Sequence, residues 1–260
     1  MNLGLAGKYA LVTGGSHGIG LSTALALADE GCNVAVCARN RGRVDEAVQA
    51  IRAKGVRAVG VSADAMVGED IDVVMDTVIG EWGTLHILIN NVGGGGRWGS
   101  DNLEETSEEV WLEVYNKNAL AAVRFTLKAL PYMRRQKWGR VVTVTSVLGR
   151  EGGGRPWFNM AKTAQTTLMK NLALRPELIR EGITFNSVAP GCIMIPDTGW
   201  DAERKKDPGA FDRMVRESYP LGRLGTPEEV AGVIVFVCSE QASLLNGASI
   251  PVDGAESRCF

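Results

Sequence analysis

A glycine-rich stretch near the start of the chain has the residue types that bind phosphate groups. The stretch TGGSHGIG, residues 13–20, follows an apolar run and precedes a helix-like segment. Gly14, Gly18 and Gly20 have no Cβ, so backbone N–H groups can approach an anion there. The positive end of the helix dipole adds to the attraction. This order of strand, glycine turn and helix predicts a site for a dinucleotide pyrophosphate.

A second stretch pairs an aromatic residue with a charged one. In RPWFNMAK, residues 155–162, Lys162 follows Phe158 by four positions, so the two side chains share one face of a predicted helix. A lysine in this position acts electrostatically on whatever group its neighbour carries. Phe158 has the shape of tyrosine but no ionisable proton.

Short apolar runs that alternate with helix-length segments must position these residues. The runs are KYALVTG, NVAVCAR, RAVGVSAD, LHILINN, GRVVTVTS, ITFNSVAPG and ASIPVDG, and helices are predicted over 18–30, 41–54, 68–81, 107–136, 157–180 and 227–239. The alternation predicts an α/β fold, a doubly wound parallel sheet of the Rossmann type, in a single domain over residues 1–260. Residues 192–218 are the least regular stretch and are predicted to form a lid over the substrate.

Composition and charge exclude several classes of partner. With 45% hydrophobic residues, 22% charged residues and a formal charge of -2, the chain has no sign of disorder, of a nucleic-acid surface or of a polybasic membrane anchor. Its five cysteines are scattered, which predicts reduced thiols and neither a metal site nor a disulfide framework. No secretory pattern or membrane-length apolar run is present, so we expect a cytoplasmic protein that binds a small molecule.

Several ordered motifs give the chain a family resemblance. The glycine turn has the spacing TGxxxGxG, LINNVGG is similar to a strand-4 NNAG motif, VAPGCI to a PG motif, and GRLGTPEEVAGVIVFVCSEQASLLNGASIPVDG to a C-terminal signature. Together they resemble the short-chain dehydrogenase/reductase family, and its 3-oxoacyl-acyl-carrier-protein reductases in particular, from about residue 7 to residue 254. The resemblance implies a nicotinamide cofactor, a carbonyl or alcohol substrate and a homotetramer.

The resemblance also assigns residues to the cofactor. It implies that the glycine turn holds the phosphates, that one pair of residues flanks the adenine, that an asparagine lies near the adenosine ribose and that the PG turn packs near the nicotinamide. The residues so assigned are Gly14, Ser16, His17, Gly18, Ile19 and Gly20 for the turn, Asp64 and Ala65 for the adenine, Asn90 for the ribose, and Pro190, Gly191 and Ile193 for the nicotinamide.

The end of the second strand predicts which cofactor binds. A carboxylate there would accept a hydrogen bond from a free ribose 2′-OH, whereas a 2′-phosphate favours cations. The chain has Ala38 at this place, followed by Arg39, Arg41 and Arg43. NADP(H) is therefore predicted over NAD(H).

Carbonyl reduction by hydride needs a proton donor, a second hydrogen-bond donor and a cation that lowers the pKa of the first. In the family, tyrosine, serine and lysine fill these roles, and an asparagine helps to hold a proton-relay water. The resemblance gives the serine role to Ser146, with Thr145 as the alternative, and the asparagine role to Asn118, with Asn116 as the alternative. Lys162 fits the lysine, and Phe158 stands at the position of the tyrosine.

Three hypotheses account for Phe158. The chain is a carbonyl reductase or alcohol dehydrogenase whose tyrosine was replaced deliberately, to inactivate it; or it reduces an activated C=C bond, for which the hydroxyl is not required; or it binds the nucleotide without turnover. The extra glycines of NNVGGGG are similar to those of enoyl reductases in the family. The hydroxyl of a general acid typically contributes ~10²- to 10⁴-fold to the rate.

Side chains of mixed character are predicted to line the substrate side. They suggest a mostly apolar substrate with an anionic end that Arg97 or Arg155 could bind. The family often has threonine shortly after the PG motif to hold the carboxamide of the nicotinamide, and here Ile195 occupies that position, with Thr198 as a substitute. The predicted substrate-side residues are Arg97, Trp98, Arg155, Trp157, Met194 and Trp200.

Overall fold

Seven parallel strands form one sheet at the centre of the molecule. The computed structural model describes residues 1–259, and the strand order is β3-β2-β1-β4-β5-β6-β7. The strands are β1 (Tyr9–Thr13), β2 (Asn33–Ala38), β3 (Ala58–Ser62), β4 (Ile87–Asn90), β5 (Gly139–Val144), β6 (Ile183–Pro190) and β7 (Ser249–Val252). This confirms the predicted doubly wound parallel sheet, because all seven apolar runs are strands.

Helices cover both faces of the sheet. One hydrophobic core packs α1, α2 and α10 against one face, and a second packs α3, α5 and α6 against the other. The helices are α1 (Gly18–Asp29), α2 (Arg41–Arg52), α3 (Gly68–Trp82), α4 (Glu108–Tyr115), α5 (Ala121–Gln136), α6 (Pro156–Ala173), α7 (Pro176–Ile179), α8 (Gly199–Lys206), α9 (Pro208–Ser218) and α10 (Pro227–Cys238).

The structure refines three of the predicted segments. A single π-helical turn, Asn116–Leu120, joins α4 to α5, and the predicted helix over 157–180 is divided into α6 and α7. The stretch 192–218, expected to be irregular, contains α8 and α9, so that expectation was wrong. Helix α8 is short and mostly charged, which gives little helical pattern, whereas α9 has an Asp207 cap and Phe211 and Val215 on one buried face, a signal that was overlooked. None of the helices among residues 1–259 is long and apolar enough to cross a membrane.

The strand order creates a groove at the carboxyl edge of the sheet. The chain winds from β1 towards β3, returns, and continues from β4 on the other side of β1. The connections leave the carboxyl ends of β1 and β4 in opposite directions, which opens a crevice at that point. The glycine turn lies there, and Gly14 and Gly18 have positive φ angles of 64° and 55°.

Close packing at the start of α1 explains the third glycine of the turn. A Cβ at Gly20 would lie 2.3 Å from the carbonyl oxygen of Gly14 and 2.4 Å from Nδ2 of Asn91. Asn91 donates hydrogen bonds to the carbonyl oxygens of Thr13 and Gly14. The turn therefore needs glycine at position 20, because the backbone there packs directly against Gly14 and against Asn91 at the end of β4.

Candidate active site

Two adjoining cavities occupy the groove. The first, of about 340 Å³, lies at the ends of β1, β2 and β3 and is called here the β2–β3 cavity. The second, of about 610 Å³, lies at the ends of β5 and β6 and is called the β5–β6 cavity. His17, Asn91 and Gly93 line both. The two cavities thus form one elongated site across the point where the strand order reverses.

Most residues assigned to the cofactor line these cavities. The β2–β3 cavity receives those expected at the adenine and the second strand, and the β5–β6 cavity receives the helix start and the PG turn. The former are Gly14, His17, Arg39, Asp64 and Ala65, and the latter are His17, Gly18, Ile19, Pro190, Gly191 and Ile193. Ser16, Gly20 and Asn90 line neither cavity.

The position of Asn90 corrects the expectation that it lies near the ribose. Its side chain is buried and donates hydrogen bonds to the hydroxyls of Thr126, at 3.0 Å, and Thr143, at 3.4 Å. Asn90 is the last residue of β4, and its side chain points to the face that α5 covers. The next residue, Asn91, lines both cavities. The sequence signal for a groove-lining asparagine was the NN pair of the motif. Successive side chains point in opposite directions, so only one of the two asparagines faces the groove.

Of the three arginines after β2, only Arg39 lines the cavity. Arg41 pairs with Asp45, and Arg43 pairs with Asp197 of the 192–218 stretch, each at 3.3 Å. Within residues 1–259, the Arg39 side chain makes no hydrogen bond or ion pair. Its guanidinium is therefore available to an anion in the β2–β3 cavity.

Lys117 is a second cation in the β2–β3 cavity, and sequence reasoning missed it. It belongs to the π-helical turn, and its Nζ lies 4.3 Å from the centre of the Trp98 ring. Burial lowers the pKa of Lys117, and the charge of Arg39 lowers it further. An anion bound between the two side chains would relieve their repulsion.

Lys162 lies under the β5–β6 cavity with almost no exposure to solvent. Its side chain is buried, and its Nζ donates a hydrogen bond to the carbonyl oxygen of Val144 at 3.1 Å. It forms no ion pair within the described chain, and burial lowers its pKa to about 7. A Cβ at Gly93 would lie 3.0 Å from Nζ, so a glycine at this place leaves room for the ammonium group.

The structure favours Ser146 over Thr145 for the serine role and Asn118 over Asn116 for the asparagine role. Ser146 lines the β5–β6 cavity, and its Oγ accepts only a local hydrogen bond, from the N–H of Leu148. Thr145 also lines the cavity, but its hydroxyl donates to the carbonyl oxygen of Val188. Ser146 therefore has a hydroxyl proton available to a ligand, whereas Thr145 does not.

Asn118 is buried at the π-helical turn. Its amide donates to the carbonyl oxygens of Gly94 and Val114 and accepts from the N–H of Gly94. These bonds fix the glycine loop after β4 beside Lys162. Asn116 instead bonds to Arg124 and to the carbonyl oxygen of Met66, away from the β5–β6 cavity.

Phe158 presents its ring to the β5–β6 cavity on the helix face it shares with Lys162. The Nζ of Lys162 lies 5.6 Å from the ring centre, and the ring packs against Gly96, where a Cβ would be 3.4 Å away. None of the described residues that line this cavity is a tyrosine. The hydroxyl of Tyr219 lies behind the wall, where it donates to the Sγ of Cys192, which lines the cavity.

The predicted substrate-side residues divide into two groups. Arg97, Arg155 and Trp200 line the β5–β6 cavity. Trp98, Trp157 and Met194 do not, which corrects the expectation for these three. Trp157 is buried edge-on against Trp111, and Met194 packs with α9, because each has apolar neighbours that cover it.

Both arginines of this cavity are already paired. Arg97 forms an ion pair of 2.5 Å with Glu203 and stacks on Trp200. Arg155 pairs with Asp101 at 2.5 Å and donates to the carbonyl oxygens of Trp98 and Gly99. Arg155 therefore holds the loop after β4, and Arg97 joins that loop to α8.

Two residues near the PG turn complete this wall. Ile195 and Thr198 both line the cavity, and the hydroxyl of Thr198 donates to the carbonyl oxygen of Ile195 at 2.7 Å. Its oxygen can still accept a hydrogen bond. Glu256 also lines the cavity, and no sequence motif indicated it.

Comparison with known proteins agrees with this arrangement. A family model described as enoyl-(acyl carrier protein) reductase matches residues 14–255. The 3-oxoacyl-(acyl-carrier-protein) reductase FabG of Staphylococcus epidermidis is 34% identical over 95% of this chain and 98% of its own length. A cyclohexanol dehydrogenase of Rhodococcus sp. is 37% identical, with 97% of each chain covered.

Solved structures give the same result. L-Sorbose reductase from Gluconobacter frateurii, complexed with NADPH and L-sorbose, superposes with a TM-score of 0.91 at 32% identity over the whole of both chains. Actinorhodin polyketide ketoreductase with NADPH superposes with a TM-score of 0.88 at 31% identity, over 97% of this chain and 98% of the other. Motifs, strand order, site and relatives agree: the chain belongs to the short-chain dehydrogenase/reductase family, whose 3-oxoacyl-acyl-carrier-protein reductases it resembles.

Proposed function

We propose that this protein is an NADP(H)-dependent oxidoreductase that transfers hydride between nicotinamide and a carbonyl or alcohol substrate. One observation carries the proposal: Ser146, Lys162 and the Pro190–Gly191 turn line the same cavity, which continues into a second cavity with two cations. Relatives with NADPH bound support the cofactor. When bound, the nicotinamide supplies or accepts the hydride.

The cations support NADP(H) over NAD(H). Arg39 has no partner within residues 1–259, and Lys117 lies in the same cavity. Guanidinium and phosphate form strong charge-assisted hydrogen bonds. A 2′-phosphate between Arg39 and Lys117 would satisfy both charges, and a free hydroxyl would leave them opposed.

The remaining groups of the site bind and orient the substrate. The free hydroxyl proton of Ser146 can stabilise the oxyanion that develops on a carbonyl oxygen. The buried ammonium of Lys162 can hold cofactor hydroxyls through the N–H bonds not used by Val144. Phe158 preserves the shape of the wall but supplies no proton, so proton transfer limits carbonyl reduction in this sequence.

Restoring the hydroxyl tests this function. The Phe158→Tyr variant and the unaltered protein are assayed for NADPH consumption with 3-oxoacyl thioesters, aryl ketones and enoyl thioesters. We expect carbonyl reduction to rise by ~10²- to 10⁴-fold in the variant. Tyr219→Phe in the Phe158→Tyr background is the control, because it removes a tyrosine hydroxyl that contacts Cys192 of the cavity wall. An unchanged carbonyl rate together with no enoyl reduction would contradict the proposed chemistry.

Reduction of an activated C=C bond is the second candidate. It is favoured by Phe158 and by the glycine run that faces it, in which Gly94 and Gly95 have φ angles of 125° and 92° that disfavour side chains. The matching family model is also described as an enoyl reductase. Enoyl thioester reduction by the unaltered protein would establish this candidate. NADPH binding with no turnover in either form would leave a nucleotide-binding role.

Residues 192–218 fit the role of a lid. Helices α8 and α9 are tied to the body of the protein by the pairs Arg43–Asp197 and Arg97–Glu203. Ion pairs this exposed contribute only about 0–1 kcal/mol each, so the segment can open at low cost. Protection of its amides from hydrogen exchange upon NADPH and ketone binding would support closure, and unchanged exchange would contradict it.

The outer helices support a homotetramer. Leu112, Leu127 and Met160 are exposed on α4, α5 and α6, beside a mainly apolar groove of about 820 Å³. Exposed apolar faces of this kind are typical of subunit contacts. We expect a tetramer by light scattering after size-exclusion chromatography and smaller species for Leu127→Asp; a monomeric protein would contradict the assembly.

A further inference from the structure

Residues 253–259 fold back from the last strand and form part of the wall of the β5–β6 cavity. The carboxylate of Asp253 accepts hydrogen bonds from the N–H groups of Ala255 and Ser257. The carboxylate of Glu151, in the loop before α6, accepts from the N–H of Arg258 and the hydroxyl of Ser257. This segment is therefore built into the structure on both sides of Glu256.

Glu256 is the only carboxylate among the described residues that line this cavity. Its Oε2 accepts a hydrogen bond of 2.6 Å from the N–H of Cys192, and its Oε1 accepts one of 3.2 Å from the Cys192 thiol. A Cβ at Gly191 would lie 2.4 Å from Oε2, so the glycine of the PG turn makes space for the carboxylate. Glu256 forms no ion pair within residues 1–259.

The carboxylate has capacity for a further partner. An ionised carboxylate offers about four lone-pair positions, of which the contacts with Cys192 use two. Both contacts come from donors, which bind the ionised form best. Glu256 therefore enters the cavity as an acceptor for a donor that the protein itself does not provide.

The two arginines of the cavity do not pair with Glu256. Glu203 neutralises Arg97, and Asp101 neutralises Arg155. The sequence predicted that one of these arginines would bind an anionic end of the substrate. Their pairing leaves Lys162, which the proposed function gives to the cofactor, and Glu256 as the charged groups of this cavity without an ion-pair partner in the described chain, and Glu256 disfavours an anionic ligand beside it.

On the basis of the proposed function, we propose that Glu256 is a specificity-determining residue whose carboxylate accepts a hydrogen bond from a hydroxyl or ammonium group of the substrate. The cavity then selects ketones and alcohols that carry such a donor in addition to the reacting group. It discriminates against carboxylates and phosphates of similar size. A charged acceptor is suited to this task because hydrogen bonds to charged groups are stronger than neutral ones.

The test compares ligands that differ in one group. Cyclohexanone, its 2-, 3- and 4-hydroxy derivatives and 4-oxocyclohexanecarboxylate are titrated by calorimetry into the protein, both alone and saturated with NADP⁺, which cannot reduce them. The variants are Glu256→Gln and, as a matched control, Glu151→Gln, which alters the anchor of the same segment outside the cavity. Thermal unfolding of each variant verifies that it folds.

We expect at least one hydroxycyclohexanone to bind about tenfold more tightly than cyclohexanone. Glu256→Gln should reduce that ratio to less than about threefold, and Glu151→Gln should preserve it. An equal ratio in Glu256→Gln, or tightest binding of the carboxylate ketone to the unaltered protein, would overturn the proposal. Failure of NADP⁺ to bind any form would refute the proposed function instead, and the ratio measured without cofactor would still decide the role of Glu256.

Discussion

The two cavities of the groove use their cations in opposite ways. In the β2–β3 cavity, Arg39 and Lys117 form no ion pair within the described chain. In the β5–β6 cavity, Arg97 and Arg155 are paired with Glu203 and Asp101, and the charged lining residues without an ion pair in the described chain are the buried Lys162 and the acidic Glu256. Arginine is therefore without an ion pair at one end of the groove and paired to a carboxylate of the protein at the other.

This difference shows that charge type alone does not predict the ligand. An arginine that already pairs with a carboxylate of the protein has fewer N–H donors to offer an anionic ligand. Both cavities look basic in the sequence, yet only one offers a free guanidinium.

The largest effect is expected for Gly20→Ala. The new methyl group would meet the backbone of Gly14 at 2.3 Å and Asn91 at 2.4 Å, so the shared wall must shift. Overpacking of this kind costs about 3 kcal/mol or more in the free energy of unfolding. Urea denaturation measures the loss. Gly80→Ala, in helix α3 with open space around it, is the control and should be neutral or stabilising.

Replacement of Arg39 by serine tests the free cation of the β2–β3 cavity. We expect NADPH affinity to fall by about 10- to 100-fold, because a charge-assisted contact with a phosphate is lost. NADH affinity should stay within about threefold, since its ribose has no phosphate at this position. Fluorescence titration measures both. Equal losses for the two cofactors would show that Arg39 does not recognise the 2′-phosphate, and Arg41→Ser provides the control.

The protonation of Lys162 should make NADPH affinity depend on pH. Burial lowers the pKa of this group to about 7, so the free protein loses the ammonium charge as the pH rises above that value. An anionic cofactor favours the charged form, and its affinity should therefore fall above pH 7, by at most about tenfold per pH unit. Calorimetry in buffers of different ionisation enthalpy should detect proton uptake on binding. A slope that persists in Lys162→Met would assign the dependence to another group.

The smallest effect is expected for Arg97→Gln, at the other end of the groove. Arg97 and Glu203 are both about half exposed, and such pairs contribute only about 0–1 kcal/mol. Unfolding should change by less than that amount, and the affinity for 4-oxocyclohexanecarboxylate by less than about threefold. A tenfold loss of affinity for this anionic ketone would mean that Arg97 leaves Glu203 to bind substrate, and the contrast between the cavities would fail.

The sequence predicted the sheet because each strand is an apolar run with a helix-length segment after it. It also predicted glycines and a PG turn that line the groove, since these residues reflect local backbone needs that a short motif can carry. Asn90 shows the limit of that approach: the motif identifies a pair of asparagines, and only the pleat of β4 determines which one faces the groove.

Long-range pairing explains the other differences. Arg97 and Glu203 are separated by 106 positions, so no local pattern could show that they meet. Helix α8 was missed because it is only eight residues long and mostly charged. Helix α9 did carry a signal, since Asp207 caps it before Pro208 and Phe211, Met214 and Val215 recur at helical spacing, and the sequence interpretation overlooked it. Glu256 follows the last strand, in a segment with neither motif nor periodicity, and its role depends on contacts with Cys192.

Residues 253–259 fold back from the last strand, so changes in this segment are separate from changes in the sheet and the glycine turn. These residues belong to no strand, and they contact the β5–β6 cavity through the hydrogen bond of Glu256 with Cys192, while Glu151 anchors them outside the cavity. A short stretch of peptide can therefore be exchanged without any alteration of the sheet or the glycine turn. With Glu256 in the proposed role, a library restricted to these few positions should alter substrate selectivity and leave the cofactor preference intact.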